Sequence, residues 1–267
     1  MSHSRSRAAE VARHTVAAVA AGRYTTAAGG VVAIGDAVAF ARTNTVEYPP
    51  GEKLPRVVPS GKPTHTEVTT ETTLAAARRL AGDGRNVAAL NFASARNPGG
   101  GFLGGARAQE ESLCRSSALY ECLRGCRMYP HHTPTPGGFY TNYAIYSPAV
   151  PVFKDDDGSP LDAPYPCAFV TAPAVNAGVL RDDERPRLRG EMAERVRKVL
   201  AVTAGHGHDA VVLGAWGCGV FRNDPDVIAD VFREALNTRF AGVFDVVVFA
   251  VPSDGDNHRA FAERFAC

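Results

Sequence analysis

No charge of either sign dominates this chain. Its 29 Lys+Arg stand against 28 Asp+Glu, a net charge of +1, which excludes a surface that binds nucleic acid or membrane as a whole. An anionic partner must be met locally, and no sequence-specific nucleic-acid partner is expected. The six cysteines (Cys114, Cys122, Cys126, Cys167, Cys218 and Cys267) form no CxxC pair. With no secretory segment ahead of them they read as reduced thiols, which favours the cytoplasm. No apolar run approaches membrane-spanning length. In residues 4–24, "SRSRAAEVARHTVAAVAAGRY", Glu10, Arg13 and His14 interrupt any h-region, and an amphipathic surface helix is expected instead. No internal repeat is visible. What is present, 267 residues at 45% hydrophobic content, is ample for a sizeable core.

Four short apolar segments rich in β-branched residues read as strands buried on both faces: residues 86–94, 167–174, 209–216 and 244–252. Helical patterns lie between and around them: "TTLAAARRLAG" ending at Gly82, "SLCRSSALYECLRGC" from Ser112, "RLRGEMAERVRKVLAVTAG" ending at Gly205, and a helix after Asp224–Pro225, an N-cap and N1 pair. This alternation predicts an α/β fold, one three-layer domain with helices on both faces of the sheet. The first 70 or so residues read as an accessory element packed on that domain, with "VVAIGDAVAFAR" as a short strand pair. "FYTNYAIYSPAVPVF" reads as an edge strand between two irregular stretches.

Two strand ends are followed by glycine. Residues 99–111, "GGGFLGGARAQEE", hold five glycines in seven positions, then a glutamine and two adjacent carboxylates where a helix should begin. Ligands of open α/β sheets sit beyond the carboxyl ends of strands. Glycines there let a ligand lie against the backbone, whose N–H groups then face an anion. For Glu110 and Glu111 two effects oppose each other. The helix dipole lowers a carboxyl pKa, while burial and mutual repulsion raise it. Solvated first-turn glutamates and a catalytic pair are both open on this reading. The second stretch, "LGAWGCGVFRNDP" at 213–225, is neither a P-loop nor a dinucleotide fingerprint. It serves either as a tight strand-to-helix turn or as a phosphate cradle, and two such loops at one sheet edge would clamp one elongated anionic ligand.

Together the loops resemble those of the macrodomain fold, and "GGGFLGGARAQEE" resembles the GGG(x6-8)QEE signature of poly(ADP-ribose) glycohydrolases; the intervening stretch here is seven residues. "LNFASARNPGGG", "AQEESLCRSSALY", "TAPAVNAG" and "VLGAWGCGVFRNDP" resemble the bacterial-type branch of that family. The resemblance implies a macrodomain-like α/β/α mixed sheet and an enzyme that cleaves the ribose–ribose O-glycosidic bond of poly(ADP-ribose), mainly from chain ends, releasing ADP-ribose. ADP-ribosylated proteins would be the carriers of the polymer. By the same resemblance Glu111 is the catalytic acid and Glu110 holds ribose hydroxyls. Asn97, Pro98, Gly99, Gly100, Gly101, Gln109, Asn176, Gly214, Gly217, Cys218, Gly219, Val220 and Phe221 would contact substrate, Phe221 on the ribose. No metal and no cofactor is implied. A reader of ADP-ribose without hydrolysis, or a hydrolase of single protein-bound units, would share the glycine loops. A reader has no use for an acid at the distal ribose.

Other features have blander readings. His131 and His132 lack a third ligand and read as loop histidines. Asp155 to Asp157 reads as a turn with Gly158, and Cys114 and Cys218 as small buried hydrophobes. "RDDERPRLRGEMAERVRK" reads as the solvated start of a helix, with a basic patch as its functional alternative.

Overall fold

The computed structural model describes residues 2–59 and 61–266; Cys267 lies outside them. Nine strands are found there: β1 (Arg23–Thr25), β2 (Val31–Ala33), β3 (Val46–Tyr48), β4 (His65–Thr69), β5 (Val87–Phe92), β6 (Ala144–Lys154), β7 (Pro160–Ala172), β8 (Ala210–Leu213) and β9 (Val246–Ala250). The helices are α1 (Ser2–Ala21), α2 (Gly35–Thr43), α3 (Thr73–Gly82), α4 (Gln109–Ser116), α5 (Leu119–Leu123), α6 (Met128–His132), α7 (Leu188–Gly205), α8 (Pro225–Asn237) and α9 (Asp256–Phe265).

Seven strands form one mixed sheet in the order β3-β6-β7-β5-β8-β9-β4, and β1 and β2 make a separate antiparallel ribbon. β5 pairs in parallel with β7 and β8, as do β8 with β9 and β9 with β4. Their carboxyl ends therefore open on one edge, where residues 93–108, 173–187, 214–224 and 251–255 follow. β5 shows why the middle of the sheet reads as an unbroken apolar run. Val87 and Ala89 point into the core beneath α1–α5, while Ala88 and Leu90 point into the core beneath α7–α9. Phe249 of β9 stacks on Phe265 with ring centroids 4.4 Å apart and meets Phe232 and Phe261 at 5.4 and 5.1 Å. Truncating such a ring to Ala costs roughly 3–5 kcal/mol.

The helices form where caps and periodicity agree. Thr72 Oγ1 accepts from Ala75 N at α3, and Asp224 accepts from Asp226 N at α8 with Pro225 in the first turn. Four expectations are corrected. β3 and β4 are the two edge strands of the main sheet, so the first 70 residues contribute to it as well as packing on it. Residues 35–43 are helix, because Val38 and Ala41 fall three apart on one buried face. β6 lies one place inside the edge, between β3 and β7. The run from Ser112 breaks at Ser117, which is extended, bridges to Val152 and starts α5 by accepting from Leu119 N. His131 and His132 also belong to a short helix, and the buried ring of His132 bonds Thr141 at 2.7 Å. No group of His, Cys, Asp and Glu suited to a metal ion occurs among the described residues. No helix among them is long and apolar enough to cross a membrane.

Candidate active site

The loops at the carboxyl edge enclose a cavity of about 630 Å³, within the range of small-molecule sites. Phe92, Ser94, Asn97, Arg107, Gln109, Glu110, Glu111, Tyr140, Trp216, Gly217, Gly219, Val220 and Phe221 all line it.

Its floor is built around α4. This helix has no side-chain cap at Ala108, so Gln109, Glu110 and Glu111 are its first three residues, held at the positive end of the helix dipole. Gln109 ties that end to the sheet: its Oε1 accepts from Phe92 N at 2.9 Å, and its Nε2 donates to Leu90 O at 2.8 Å and Thr73 Oγ1 at 3.1 Å. The side-chain amide thus continues the ladder at the end of β5 and fixes where the next two side chains point.

Glu110 turns inward, 3% exposed. Its Oε2 accepts from Ser94 N at 2.7 Å and its Oε1 from Asn91 Nδ2 at 3.3 Å. Burial pushes its pKa up to about 8, aided by the neighbouring charge of Glu111, and the hydrogen bonds from Ser94, Asn91 and Gly99 only partly offset this. Its neutral form is thus favoured relative to that of a solvated carboxyl. Glu111 turns the other way: its Oε1 accepts from Gly101 N at 3.0 Å, and its buried Oε2 has no protein partner.

The glycines directly before the acids are explained by this packing. Gly99 and Gly100 have φ +69° and +58°, a region costly for residues with a Cβ. A Cβ on Gly100 would lie 2.4 Å from Glu111 Oε1 and 3.1 Å from Glu110 Oε2. One on Gly99 would press on Phe102, Tyr120 and Cys114 at 3.1–3.2 Å. The loop folds back over both carboxylates, and only a bare backbone fits against them.

The wall opposite is the loop at 214–224. Gly217 (φ +79°) sits where a Cβ would meet Asn223 Nδ2 at 2.4 Å and Ala174 at 2.7 Å. Buried Asn223 closes the loop by donating to Val175 O at 2.7 Å and Gly217 O at 3.0 Å. Gly219 has open space around it, Val220 is 82% exposed at the rim, and Phe221 lies 6.2 Å from the ring of Tyr140. Arg96 stands over the ring of Tyr140, 5.7 Å from its centroid.

Several expected contact residues also have structural duties. Gln109 lines the cavity with its amide already engaged by β5 and Thr73. Asn176 caps the turn at Ala177–Val179 by accepting from Gly178 N, away from the cavity lining. Gly214 lets β8 approach β9, since a Cβ there would lie 2.6 Å from Ala250 O. Cys218 points its thiol toward Trp216 O, and burial pushes its pKa up to about 12; Cys114 is wholly buried and its pKa is also raised by burial. Pro98, Gly99, Gly100 and Gly101 shape the loop behind the lining residues. Sequence reasoning missed Asn91, Ser94, Asn223 and Tyr140. The Asn immediately before the Asp224 cap was a visible signal for Asn223, and the others had none.

Comparison with known proteins places this geometry. Residues 12–155 match the family described as microbial-type PARG, catalytic domain. The chain is 48% identical to the crystal structure of poly(ADP-ribose) glycohydrolase from Thermomonospora curvata, at TM-score 0.91, covering 98% of this chain and 100% of that one. A Thermomonospora curvata structure bound to the inhibitor ADP-HPD matches at 46% identity and TM-score 0.90, with the same coverage. The Deinococcus radiodurans enzyme in complex with ADP-ribose matches at 44% and 0.82, covering 88% of this chain and 99% of that one. A search of curated proteins found no match. The mixed sheet and its flanking helices match those of these structures, and the chain belongs to the microbial-type poly(ADP-ribose) glycohydrolases.

Proposed function

We propose that this chain, a poly(ADP-ribose) glycohydrolase by family, hydrolyses the ribose–ribose bond with Glu111 as the group that both donates and recovers the proton. The observation that carries this reading is the split between the two adjacent carboxyls. Glu110 is enclosed by donors, whereas Glu111 has one oxygen fixed by Gly101 N and the other without a protein partner.

The bond breaks through an oxocarbenium-like transition state, so the leaving 2′-oxygen needs a proton and the cation needs nearby negative charge. Glu111 protonates the 2′-oxygen as the C1″–O bond breaks. As a carboxylate it then takes a proton from the water that adds to C1″, which restores the acid. Glu110, whose burial favours its neutral form, holds the hydroxyls of the distal ribose. Because the two residues are adjacent and diverge, they are not the spaced acid and base of common glycosidases. Gly99 to Gly101, Asn97 and Pro98 border the distal ribose. The backbone around Gly217, Gly219 and Val220 takes the diphosphate at the start of α8, with Phe221 on the ribose.

Attack at chain ends fits a cavity walled by both loops. ADP-ribosylated proteins would carry the polymer, and the first 70 residues act as part of the same catalytic unit because β3 and β4 lie in its sheet. A reducing, cytoplasmic setting fits five free cysteines, three of them buried, among the described residues. The test is incubation with a poly(ADP-ribosyl)ated acceptor, resolving products by length. Free ADP-ribose from the first time points is expected; oligomers released first would overturn end-cleavage, and no release would overturn the hydrolase.

A further inference from the structure

Most arginines of this protein are neutralised by neighbours. The basic stretch 181–189 is an example: Arg181, Arg185, Arg187 and Arg189 all pair with Asp or Glu. That patch is no anion site. Around one side of the cavity the pattern reverses. Exposed Arg107 lines the cavity with Glu111 and Ser112, and neither it nor Arg5 of α1 forms an ion pair among the described residues.

These two side chains come from distant parts of the sequence to one loop, residues 102–107. Arg107 Nη1 donates to Ser4 Oγ at 2.5 Å, and Arg5 Nε donates to Gly104 O at 3.0 Å. Gly105 (φ +79°) makes the approach possible, since a Cβ there would lie 2.2 Å from Arg5 O. A guanidinium carries five N–H donors in a planar fork suited to phosphate, and each of these contacts engages one of them. α1 is thus seated on the strip of chain between the glycines and the catalytic glutamates, and its Arg5 stands on the same loop as Arg107, outside the cavity lining.

The chemistry of the polymer says what such a strip would meet. When the bond at Glu111 breaks, the released unit keeps its diphosphate on the 214–224 side. The leaving 2′-oxygen belongs to an adenosine ribose whose own 5′ carbon carries the next diphosphate, one sugar away. We propose that Arg107, together with Arg5 of α1, holds this diphosphate of the unit on the leaving side, forming a second anion subsite that free ADP-ribose does not occupy. The proposal rests on the glycohydrolase reading and adds a preference for chains over single units. Arg107 and Arg5 would be positioning residues, acting through the placement of the leaving ribose against Glu111.

The experiment compares wild type, Arg107→Ala, Arg107→Lys and Arg5→Ala on long polymer across a salt series, with ADP-ribose affinity measured by calorimetry. Arg107→Ala should lower kcat/KM on polymer about tenfold, mostly through KM, as expected for loss of a charge-assisted contact. It should flatten the slope of log kcat/KM against log salt by roughly one, the signature of one lost phosphate contact. Its affinity for ADP-ribose should fall far less than its kcat/KM on polymer. Arg107→Lys should keep most of the salt slope, and Arg5→Ala should act in the same direction as Arg107→Ala but less. Unchanged polymer kinetics in Arg107→Ala, or an equal loss of ADP-ribose affinity, would overturn the subsite. A wild type that releases nothing from polymer would strike the glycohydrolase reading itself, so the two failures are distinguishable.

Discussion

The two glycine loops of this site solve opposite problems. Residues 99–111 form a closed arrangement in which nearly every polar group already has a partner. Gly100 lies against both carboxyls, Gly101 N holds Glu111, Ser94 N and Asn91 hold Glu110, and Gln109 is bonded to the sheet. Residues 214–224 are closed at the base by Asn223 and tied to the neighbouring turn by Gly178 N donating to Phe221 O, while the tip at Gly219 and Val220 faces open space. The difference teaches that the same residue type serves preorganisation in one loop and access in the other. Substitutions in the first should damage chemistry with or without ligand, whereas those in the second should be felt when the diphosphate arrives.

The sharpest break in that comparison is Gly100→Ala. Its Cβ would overlap Glu111 Oε1 at 2.4 Å with φ at +58°, displacing the acid by an ångström or so. A misplacement of that size costs about 100-fold in rate, read as kcat on polymer. A kcat within twofold of wild type would show that Glu111 does not depend on the loop.

Glu110→Gln tests the closed side by stability. The folded pKa of about 8 lies above the ordinary carboxyl value of 4.5. Wild type therefore keeps its full stability in acid and loses it as pH rises from about 4.5 toward about 8, by up to about 1.4 kcal/mol per pH unit. Gln does not ionise, so the variant should gain on wild type across that window and run parallel to it above. Denaturant melts at pH 5, 7 and 9 check this, and a constant difference between the two proteins would mean that Glu110 titrates normally.

The smallest effect belongs to the open loop. Gly219→Ala adds a methyl where nothing lies within 4 Å, so melting temperature should be unchanged while the Kd for ADP-ribose rises a few-fold, about 1 kcal/mol, for crowding the anion's approach to backbone amides. A fall in melting temperature instead would show that this loop, too, is closed.

What was legible in the sequence follows the same division between local and distant causes. β5, β8 and β9 read from their apolar runs because both of their faces are buried. β3 and β4, three and five residues long and holding charged or polar side chains, carry no such period, and β6 is disrupted by Pro148, a left-handed Ala149 and a bulge before Val150. The glycines and Glu110–Glu111 were legible because the loop and the helix start that it covers are adjacent in sequence. Asn91 and Tyr140 were not, and Asn223 was signalled only by its place before the Asp224 cap. Asn91 matters because α4 brings Glu110 back to β5, Tyr140 because its ring meets Arg96 and Phe221 from distant parts of the chain, and Asn223 because it reaches Val175, 48 residues away. Gln109 was found as part of a motif, but its bonds to β5 exist only in the folded sheet and were not legible.

The central claim is that one carboxyl, Glu111, carries the proton in both halves of the reaction while the rest of the site binds. The measurement that tests it most directly pairs turnover of poly(ADP-ribosyl)ated substrate with calorimetric ADP-ribose affinity in Glu111→Gln. The isostere keeps the shape and accepts from Gly101 N but has no carboxyl proton to give. Turnover lost by about 1,000-fold or more, in line with removal of an essential proton donor, with a Kd within about threefold of wild type, is the predicted result. Retained turnover, or loss of binding in step with activity, would contradict it.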